Sequence, residues 1–337
     1  MPSALLLGGT GQIGLAVAAR LAREGWEIRL ASRTAPEFDG PWQHAPWDRE
    51  DPAALARALG EGADLLLDCV AFDAAHAEAL LAVQESAGHL MAISSASVYR
   101  DEGGRTIDEA KETGFPHFPE PIPEDHTTVE PGPETYSTSK VAMERRLLEG
   151  AHVPATLLRP CAIHGPHSKH AREWWFVRRL LDGRTRIPLA YGGRSRFQTT
   201  STAAIAEAVL HAFGGGAPAV LNVTDAYAPT VAEIGRTVME AMGEHADLVG
   251  LPDEIYPPKG GATPWSAERP MVLASSAPTA GTYAETAPAA VAWLTRATRG
   301  RDWRAVLPQL AAYPKEHFDY AADDEALERE GAAPLNH

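Results

Sequence analysis

The sequence contains only two cysteines, Cys69 and Cys161, among its 337 residues. Two thiols are too few for the disulfide framework of a small secreted domain or for a thiolate metal cage. Each of them lies in a short apolar run that is typical of a buried strand. The sequence therefore predicts a reducing, cytoplasmic compartment.

The chain also lacks a membrane-length apolar run and an excess of basic residues. No apolar stretch approaches the roughly 20 residues that cross a bilayer, and the opening MPSALLLGGTG has neither a cationic leader nor a cleavage site. The 30 Lys and Arg residues are outnumbered by 45 Asp and Glu residues, which gives a net charge of −15. Such a field repels nucleic acid and anionic lipid, so neither is expected as a partner.

What the sequence does have is a regular alternation of strand and helix patterns. An apolar run over 5–7 ends in glycines, and apolar residues then recur every four positions until Gly25. Further strands are predicted over 26–30, 65–70, 89–94 and 155–159, and helices over 51–59, 73–85 and 136–149. This order predicts an α/β fold with a doubly wound parallel sheet, which binds ligands at the carboxyl ends of its strands.

The first predicted turn has the composition of a phosphate-binding loop. The stretch 8-GGTGQIG-14 lies between a strand and a periodic helix, where side chains would block the tight turn and the approach of a pyrophosphate to backbone N–H groups. That setting favours a dinucleotide site over an ordinary glycine loop. The residues expected at the cofactor are Gly8, Gly11, Gln12, Ile13 and Gly14.

The second predicted strand ends in 31-ASRT-34, without the acid that binds ribose hydroxyls in NAD-selective sites. Ser32 and Arg33 offer a hydroxyl and a fixed cation, which suit a 2′-phosphate. NADP is therefore the expected cofactor and NAD the alternative, while Arg33 could instead be a solvated surface charge. Asp48, Val70 and Pro160 are also expected to line the cofactor.

Tyr136 and Lys140 are four residues apart on a predicted helix and therefore share one face. A phenol is a poor base near neutral pH. A neighbouring ammonium favours the phenolate, so Lys140 is expected to lower the pKa of Tyr136. Lys140 is also expected at the cofactor ribose, beside Tyr136, and Ser95 is expected to hold the substrate oxygen.

Five passages together resemble the extended short-chain dehydrogenases/reductases of the NAD(P)-dependent epimerase/dehydratase family. They are GGTGQIG at 8–14, SSASVY at 94–99, YSTSK at 136–140, LRPCAIHGP at 158–166 and VLNVTDAYAPTVAEIG at 220–235. The resemblance implies a Rossmann-like fold with Tyr136 as acid/base, Lys140 as its helper and ribose ligand, and Ser95 as the hydroxyl that orients the reacting carbon's oxygen. It also implies a C-terminal lobe that binds the substrate.

The pattern weakens after about residue 166, returns over about 197–225 and weakens again. We therefore predict a dinucleotide-binding domain from 1–165 plus about 197–225. A smaller, discontinuous substrate-binding lobe is predicted from about 166–196 and 226–337. The Ala-, Pro- and Thr-rich stretch at 277–290 is predicted to be a surface loop.

Four residues are expected to reach a small-molecule substrate: Ser97, Tyr99, His164 and Arg196. His164 replaces a tyrosine that is frequent in the family, and the passage after Arg196 lacks the family's acids, which makes nucleotide sugars less expected as substrates. Arg194 and Arg196 could clamp an anionic group or be solvated. The long connection over 100–133 could form a lid, since loops of that length are usually functional or mobile.

No metal is expected, because Gly165 and Pro166 interrupt the spacing of His164, His167 and His170. Apolar residues at 141–150 could pack between the subunits of a homodimer. The function expected is hydride transfer at a carbinol or ketone carbon, as a ketoreductase or a sugar-type epimerase. The alternative is a non-catalytic relative that senses a dinucleotide or binds RNA or protein.

Overall fold

The computed structural model describes residues 1–37, 39–253, 258, 260–313 and 316–335. The strands are β1 (Ser3–Leu7), β2 (Glu27–Ser32), β3 (Gln43–Pro46), β4 (Leu65–Asp68), β5 (Leu90–Ile93), β6 (Ala155–Pro160), β7 (Ala162–His164), β8 (Arg186–Leu189), β9 (Thr199–Ser201), β10 (Val220–Val223), β11 (Asp247–Gly250) and β12 (Ala333–Pro334). The α-helices are α1 (Gln12–Arg23), α2 (Ala54–Leu59), α3 (Ala74–Leu81), α4 (Ala110–Thr113), α5 (Tyr136–Gly150), α6 (Trp174–Leu181), α7 (Thr202–Phe213), α8 (Val231–Met242), α9 (Tyr283–Thr298), α10 (Trp303–Val306), α11 (Pro308–Ala311) and α12 (Tyr320–Leu327).

Seven parallel strands form the main sheet, in the order β10-β6-β5-β4-β1-β2-β3. The direction in which successive strands are added reverses between β1 and β4, and this reversal creates a crevice at the carboxyl ends of the strands. The predicted doubly wound, Rossmann-like α/β fold is confirmed.

Both faces of the sheet are buried, which explains why its strands are nearly continuous apolar runs. In β1, Ala4 and Leu6 belong to the hydrophobic core that includes residues of α1 and α7. Leu5 and Leu7 point to the opposite face, into the core that includes residues of α3 and α5. All four side chains are fully buried. This two-sided packing fixes the strand ends at which the candidate site is built.

Two local predictions in the first half need correction. The edge strand β3, QHAP, was not predicted because it is short, half exposed and without apolar alternation. The helix expected from Asp51 begins one turn later, at Ala54. The Asp51 carboxylate accepts from the N–H of Ala53 at 3.0 Å and closes a turn instead of capping the helix.

A second core lies outside the main sheet and contains residues of α6, α8 and α9, with Trp174 and Trp265 each 1% exposed. The 277–290 stretch is only partly a loop, because α9 begins at Tyr283 behind a capping box formed by Thr282 and Glu285. The helix was not predicted because it contains Pro288, and a proline inside a sequence segment argues against a helix there. The residue bounds of the two lobes stay a prediction.

The connection over 100–133 is anchored to the rest of the chain. Ile122 is fully buried, and Phe115 and Phe118 are 4% and 6% exposed. The N–H of Ile122 donates to the carbonyl of Val272 at 2.7 Å, and its own carbonyl accepts from Ala274 at 2.9 Å. In this conformation these residues are packed core and not a free lid. Within the described residues, no helix is long and apolar enough to cross a membrane.

Candidate active site

The turn between β1 and α1 is shaped so that only glycine fits at its key positions. Gly8 has a φ of +70°, in the left-handed region. A Cβ on Gly14 would lie 2.4 Å from the Cα of Gly9, and one on Gly9 would lie 2.7 Å from the carbonyl oxygen of Leu6. Gly11 is the N-cap of α1 and supplies no side chain to cap the helix. The first-turn N–H groups are therefore positioned to bind an anionic group.

The residues beside this turn also fit a dinucleotide. The Oε1 atom of Gln12 is buried and has no hydrogen-bond partner among the residues that the structure describes. Val70 follows β4, lies against Gly8 and is 47% exposed. An unsatisfied buried polar atom and an exposed valine beside a glycine cradle are features that a bound ligand would cover.

The end of β2 presents a cation and no carboxylate. The Ser32 hydroxyl donates to the carbonyl of Thr34 at 2.7 Å and lies 3.1 Å from Nε2 of His44. Arg33 is exposed, and across the described ranges it forms no ion pair. Asp48 is exposed as well, and its carboxylate accepts from the N–H of Glu50 at 3.2 Å. Arg33 is therefore available to an added phosphate.

Lys140 is buried below the crevice at the carboxyl ends of the strands, here called the cleft, and is 6% exposed. Its Nζ donates to the carbonyl of Ala71 at 2.6 Å and to that of Ile93 at 3.0 Å, so it ties α5 to the ends of β4 and β5. Burial lowers the pKa of Lys140 to about 8, while the nearby Asp68 carboxylate works in the opposite direction. With a pKa of about 8, Lys140 changes from the charged to the neutral form within the pH range in which enzymes commonly work.

Tyr136 is the first residue of α5, behind a capping box in which the Thr135 side chain accepts from the N–H of Thr138. It is 46% exposed and lies at the mouth of the cleft. Burial of its oxygen raises the pKa of the Tyr136 phenol, and a hydrogen bond with the Ser95 hydroxyl partly offsets this. Ser95 and Tyr136 are therefore neighbours in the structure, while the expected role of Ser95 at the substrate oxygen stays a prediction.

The expected effect of Lys140 on Tyr136 is not found. Nζ of Lys140 lies 5.6 Å from the centroid of the Tyr136 ring, and its bonds to two backbone carbonyls direct it elsewhere. The pKa of Tyr136 is raised in the structure, where a decrease was expected. The i,i+4 spacing placed the two residues on one face but did not fix where the ammonium points.

Ser95 and Ser97 follow β5, where the Ser95 Oγ accepts from the N–H of Ser97 at 3.1 Å. The carbonyl of Ser97 accepts from the hydroxyl of Ser137 at 2.8 Å. Ser97 is 6% exposed and joins α5 to the end of β5. This contact holds Tyr136 next to Ser95.

Two residues expected at the substrate are buried in the protein. Tyr99 is fully buried and donates to Oδ1 of Asn222 at 2.7 Å. His164 is 2% exposed, with Nε2 at 2.8 Å from Oδ2 of Asp225. Neither side chain has exposed surface for a ligand, so neither is placed to contact a substrate as the sequence predicted. Pro160 is likewise buried, in β6.

Arg196 lies instead beside a cavity of about 540 Å³. Arg194 and Arg269 also line it, and Nε of Arg269 is buried with no partner in the described part of the chain. Carboxylates of the chain offset two of these cations, since Arg196 pairs with Glu120 and Arg194 with Asp253. An anionic group that binds in the cavity would therefore compete with Glu120 and Asp253 for these arginines.

Two further sequence expectations concern a metal and a dimer. Over the ranges that the structure describes, no group of three or more His, Cys, Asp or Glu side chains could hold a metal ion. Val141, Met143 and Leu147 of α5 are fully buried within their own chain. They are therefore not free to pack between subunits, which leaves only Leu148, 36% exposed, among the large apolar residues of that stretch.

Sequence patterns missed an ion pair at the ends of β3 and β4. Asp68 is fully buried, and its two carboxylate oxygens accept from Arg49 at 2.8 Å and 2.7 Å. Asp68 also accepts from the N–H of Val70 at 2.8 Å. The signal in the sequence was Asp68 itself, an acid inside the apolar run LLLDCV. A buried carboxylate without a partner costs free energy, so its place in this run indicates a cation nearby.

The model of the family described as "NAD dependent epimerase/dehydratase family" matches residues 4–224. A UDP-glucose 4-epimerase structure from Thermotoga maritima aligns with a TM-score of 0.65 at 16% identity, covering 87% of this chain and 99% of that one. The enzyme WbmH of Bordetella bronchiseptica, in complex with NAD⁺, aligns with a TM-score of 0.64 at 18% identity, covering 88% and 99%. At these identities the structural likeness establishes the fold alone.

A curated relative carries a different kind of name. The chloroplast stem-loop binding protein of 41 kDa b from Arabidopsis thaliana is 27% identical over 226 residues, which are 62% of this chain and 54% of that protein. The chain thus spans about half the length of the curated relative that it matches.

Proposed function

Because the chain belongs to the NAD-dependent epimerase/dehydratase family, we propose that it transfers a hydride at a carbinol or ketone carbon of a small molecule while Tyr136 moves the matching proton. The observation that carries this proposal is that the Ser95 side chain lies near enough to the Tyr136 phenol to lower its pKa. These two side chains lie at the strand ends where the glycine turn and Lys140 also meet. Net reduction and epimerisation through a ketone would both use this arrangement.

NAD(P), when bound, would accept or supply the hydride. The glycine turn would bind its pyrophosphate through the N–H groups at the start of α1. Lys140 would donate to the ribose, because its Nζ has donor capacity beyond its two carbonyl partners. Ser95 would hold the substrate oxygen, and Tyr136 would give or take the proton at that oxygen.

The cavity beside Arg196 supports a substrate with an anionic group. Arg269 has a buried, unpartnered Nε among the described residues, and it joins Arg194 and Arg196 around the same space. A phosphate-bearing or carboxylate-bearing small molecule would satisfy these donors. UDP-hexoses are suitable first probes, because a UDP-glucose epimerase shares the fold, and simple ketones without a charged group are the matched comparison.

We infer NADP preference from Arg33, although the family is NAD-dependent. Arg33→Ser should weaken NADPH binding about 10- to 100-fold, the worth of a charge-assisted hydrogen bond, and leave NADH binding nearly unchanged. Fluorescence titration of both cofactors measures this, with Arg23→Ser, at an exposed position on α1, as the control. Tighter binding of NADH than of NADPH to the wild-type protein would refute the argument from Arg33.

Lys140 should make cofactor binding depend on pH. Its pKa of about 8 lies below the usual value for lysine, so the ammonium is present below that pH and is lost as the pH rises through it. NAD affinity should therefore fall about fivefold between neutral pH and pH about 9, the difference between a charged and a neutral donor. Lys140→Met should bind NAD more weakly and without this pH dependence, whereas Lys111→Met, at an exposed position, should retain it. A wild-type affinity that is constant with pH would contradict the assignment.

RNA binding is a second candidate, favoured by the stem-loop binding relative. The net charge of −15 weighs against it, because RNA affinity depends on cationic surface. Filter binding with a stem-loop RNA at low and high salt tests this candidate. Salt-sensitive binding that survives Tyr136→Phe, together with no hydride transfer, would favour RNA binding over catalysis.

A further inference from the structure

Phe72 is an apolar side chain at the edge of the cleft, on a backbone that is held on both sides. The side chain is 38% exposed. The carbonyl of the preceding residue, Ala71, accepts from Nζ of Lys140 at 2.6 Å. The N–H of Phe72 itself donates to Nδ1 of His76 at 2.9 Å. The Phe72 ring therefore projects from a fixed point of the backbone, although solvent reaches it.

The start of α3 fixes the chain directly after Phe72. Asp73 is the N-cap of this helix, and its carboxylate accepts from the N–H of His76 at 3.2 Å. Nδ1 of His76 accepts in return from the N–H of Asp73 at 3.3 Å, which completes a capping box. A ring nitrogen accepts only without a proton, and burial lowers the pKa of His76, which favours that form.

The Phe72 ring packs against the ring of Tyr136. The two centroids are 5.8 Å apart and the planes are inclined by 45°, within the range in which aromatic pairs attract each other. Side chains in a helix lean onto the turn that precedes them. Tyr136 is the first residue of α5 and has no such turn. Phe72 therefore supplies a packing surface that the helix itself does not offer.

We propose that Phe72 is a positioning residue whose ring holds the Tyr136 ring in this orientation, with the phenol at the mouth of the cleft. The inference rests on the proposed function for its catalytic meaning, but the contact can be measured without substrate or cofactor. Lys140 lies 5.6 Å from the centroid of the same ring, from within α5. Phe72 restrains the ring from outside the helix, and a catalytic group displaced by about 1 Å can lose about 10²-fold in rate.

The first test measures turnover. Phe72→Leu should lower kcat about 2- to 10-fold, the worth of an aromatic pair, and leave KM and NAD(P) affinity nearly unchanged. Phe72→Tyr keeps the ring and should recover most of the rate. Phe213→Leu is the matched control, because the Phe213 ring packs against Trp26 at 4.6 Å, before β2 and so at the opposite end of the sheet.

The second test measures the contact itself by urea unfolding of the full chain. Phe72→Leu should lower the urea midpoint of the wild-type protein more than that of Tyr136→Leu, in which the ring contact is already lost. Equal changes in the two backgrounds would show that the rings do not stabilise each other and would overturn the proposal. Phe72→Met replaces the leucine variant if that one fails to fold.

The kinetic results can also overturn the proposal. An unchanged kcat in folded Phe72→Leu would do so, as would an equal fall in Phe213→Leu or a Phe72→Tyr variant as slow as Phe72→Leu. A raised KM with an unchanged kcat would make Phe72 a substrate contact instead. Coupling in urea without hydride transfer by the wild-type protein would count against the proposed function alone, and an active enzyme without coupling against Phe72 alone.

Discussion

Tyr136→Phe is expected to lower kcat about 10²- to 10⁴-fold, the usual contribution of a positioned general acid or base. The change removes one hydroxyl from a side chain that is 46% exposed, so the thermal midpoint should stay close to wild type. NAD(P) affinity should change little, because the glycine turn and Lys140 remain. The rate is followed as nicotinamide absorbance at 340 nm or as product formation.

Tyr227→Phe is the matched control for Tyr136→Phe, since Tyr227 is also a surface tyrosine, at 45% exposure. It should turn over like the wild-type protein. Equal rates for Tyr136→Phe, Tyr227→Phe and the wild type would remove Tyr136 from the mechanism. A loss of rate accompanied by a large fall in the thermal midpoint would indicate misfolding, which near-ultraviolet circular dichroism would reveal.

Arg159→Met is expected to cost about 3–5 kcal/mol in the free energy of unfolding. Arg159 is in β6 and Glu144 in α5, with side chains 7% and 4% exposed. The guanidinium donates to both carboxylate oxygens of Glu144, at 2.9 Å and 2.6 Å, and to the Tyr99 hydroxyl at 3.1 Å. Methionine fills much of the volume but leaves a buried carboxylate without a cation, and that unpaired charge dominates the cost.

Urea unfolding measures this cost, with Arg57→Met as the comparison. Arg57 pairs with Asp51 at the surface, where the two side chains are 62% and 44% exposed, and losing an exposed pair costs little because solvent screens the charges. Similar costs for the two variants would show that the Arg159 pair contributes no more than a surface contact. Because Glu144 is one turn beyond Lys140, loss of this anchor should also loosen the helix that carries Tyr136.

The strand ends were predictable from the sequence because local chemistry determines them. A Gly8–Gly14 turn is possible only with small residues, as the 2.4 Å approach to Gly9 shows. The apolar runs of β1, β4 and β5 are nearly continuous because both faces of the sheet are covered. The roles expected of Ser95 and Tyr136 came from the resemblance, since no local pattern links residues so far apart in sequence.

What the sequence could not predict depends on long-range contacts. Tyr99 follows β5 and His164 ends β7, as ligand-binding residues often do. Their partners, Asn222 in β10 and Asp225 just after it, draw both side chains into the core. The direction of the Lys140 ammonium is set by two carbonyls distant in sequence, that of Ala71 after β4 and that of Ile93 at the end of β5. Helical spacing gives the face of a helix on which a side chain lies but not the acceptor that it finds.

A single-turnover experiment tests whether the protein transfers a hydride between substrate and nicotinamide with Tyr136 as the acid/base. The protein loaded with NAD(P)⁺ is mixed with a substrate that carries deuterium on the carbinol carbon, and the reaction is quenched before one turnover is complete. We expect deuterium at C4 of the nicotinamide in the wild-type protein and almost none in Tyr136→Phe. Conversion of the substrate by the wild-type protein with no deuterium on the cofactor at any time would contradict it.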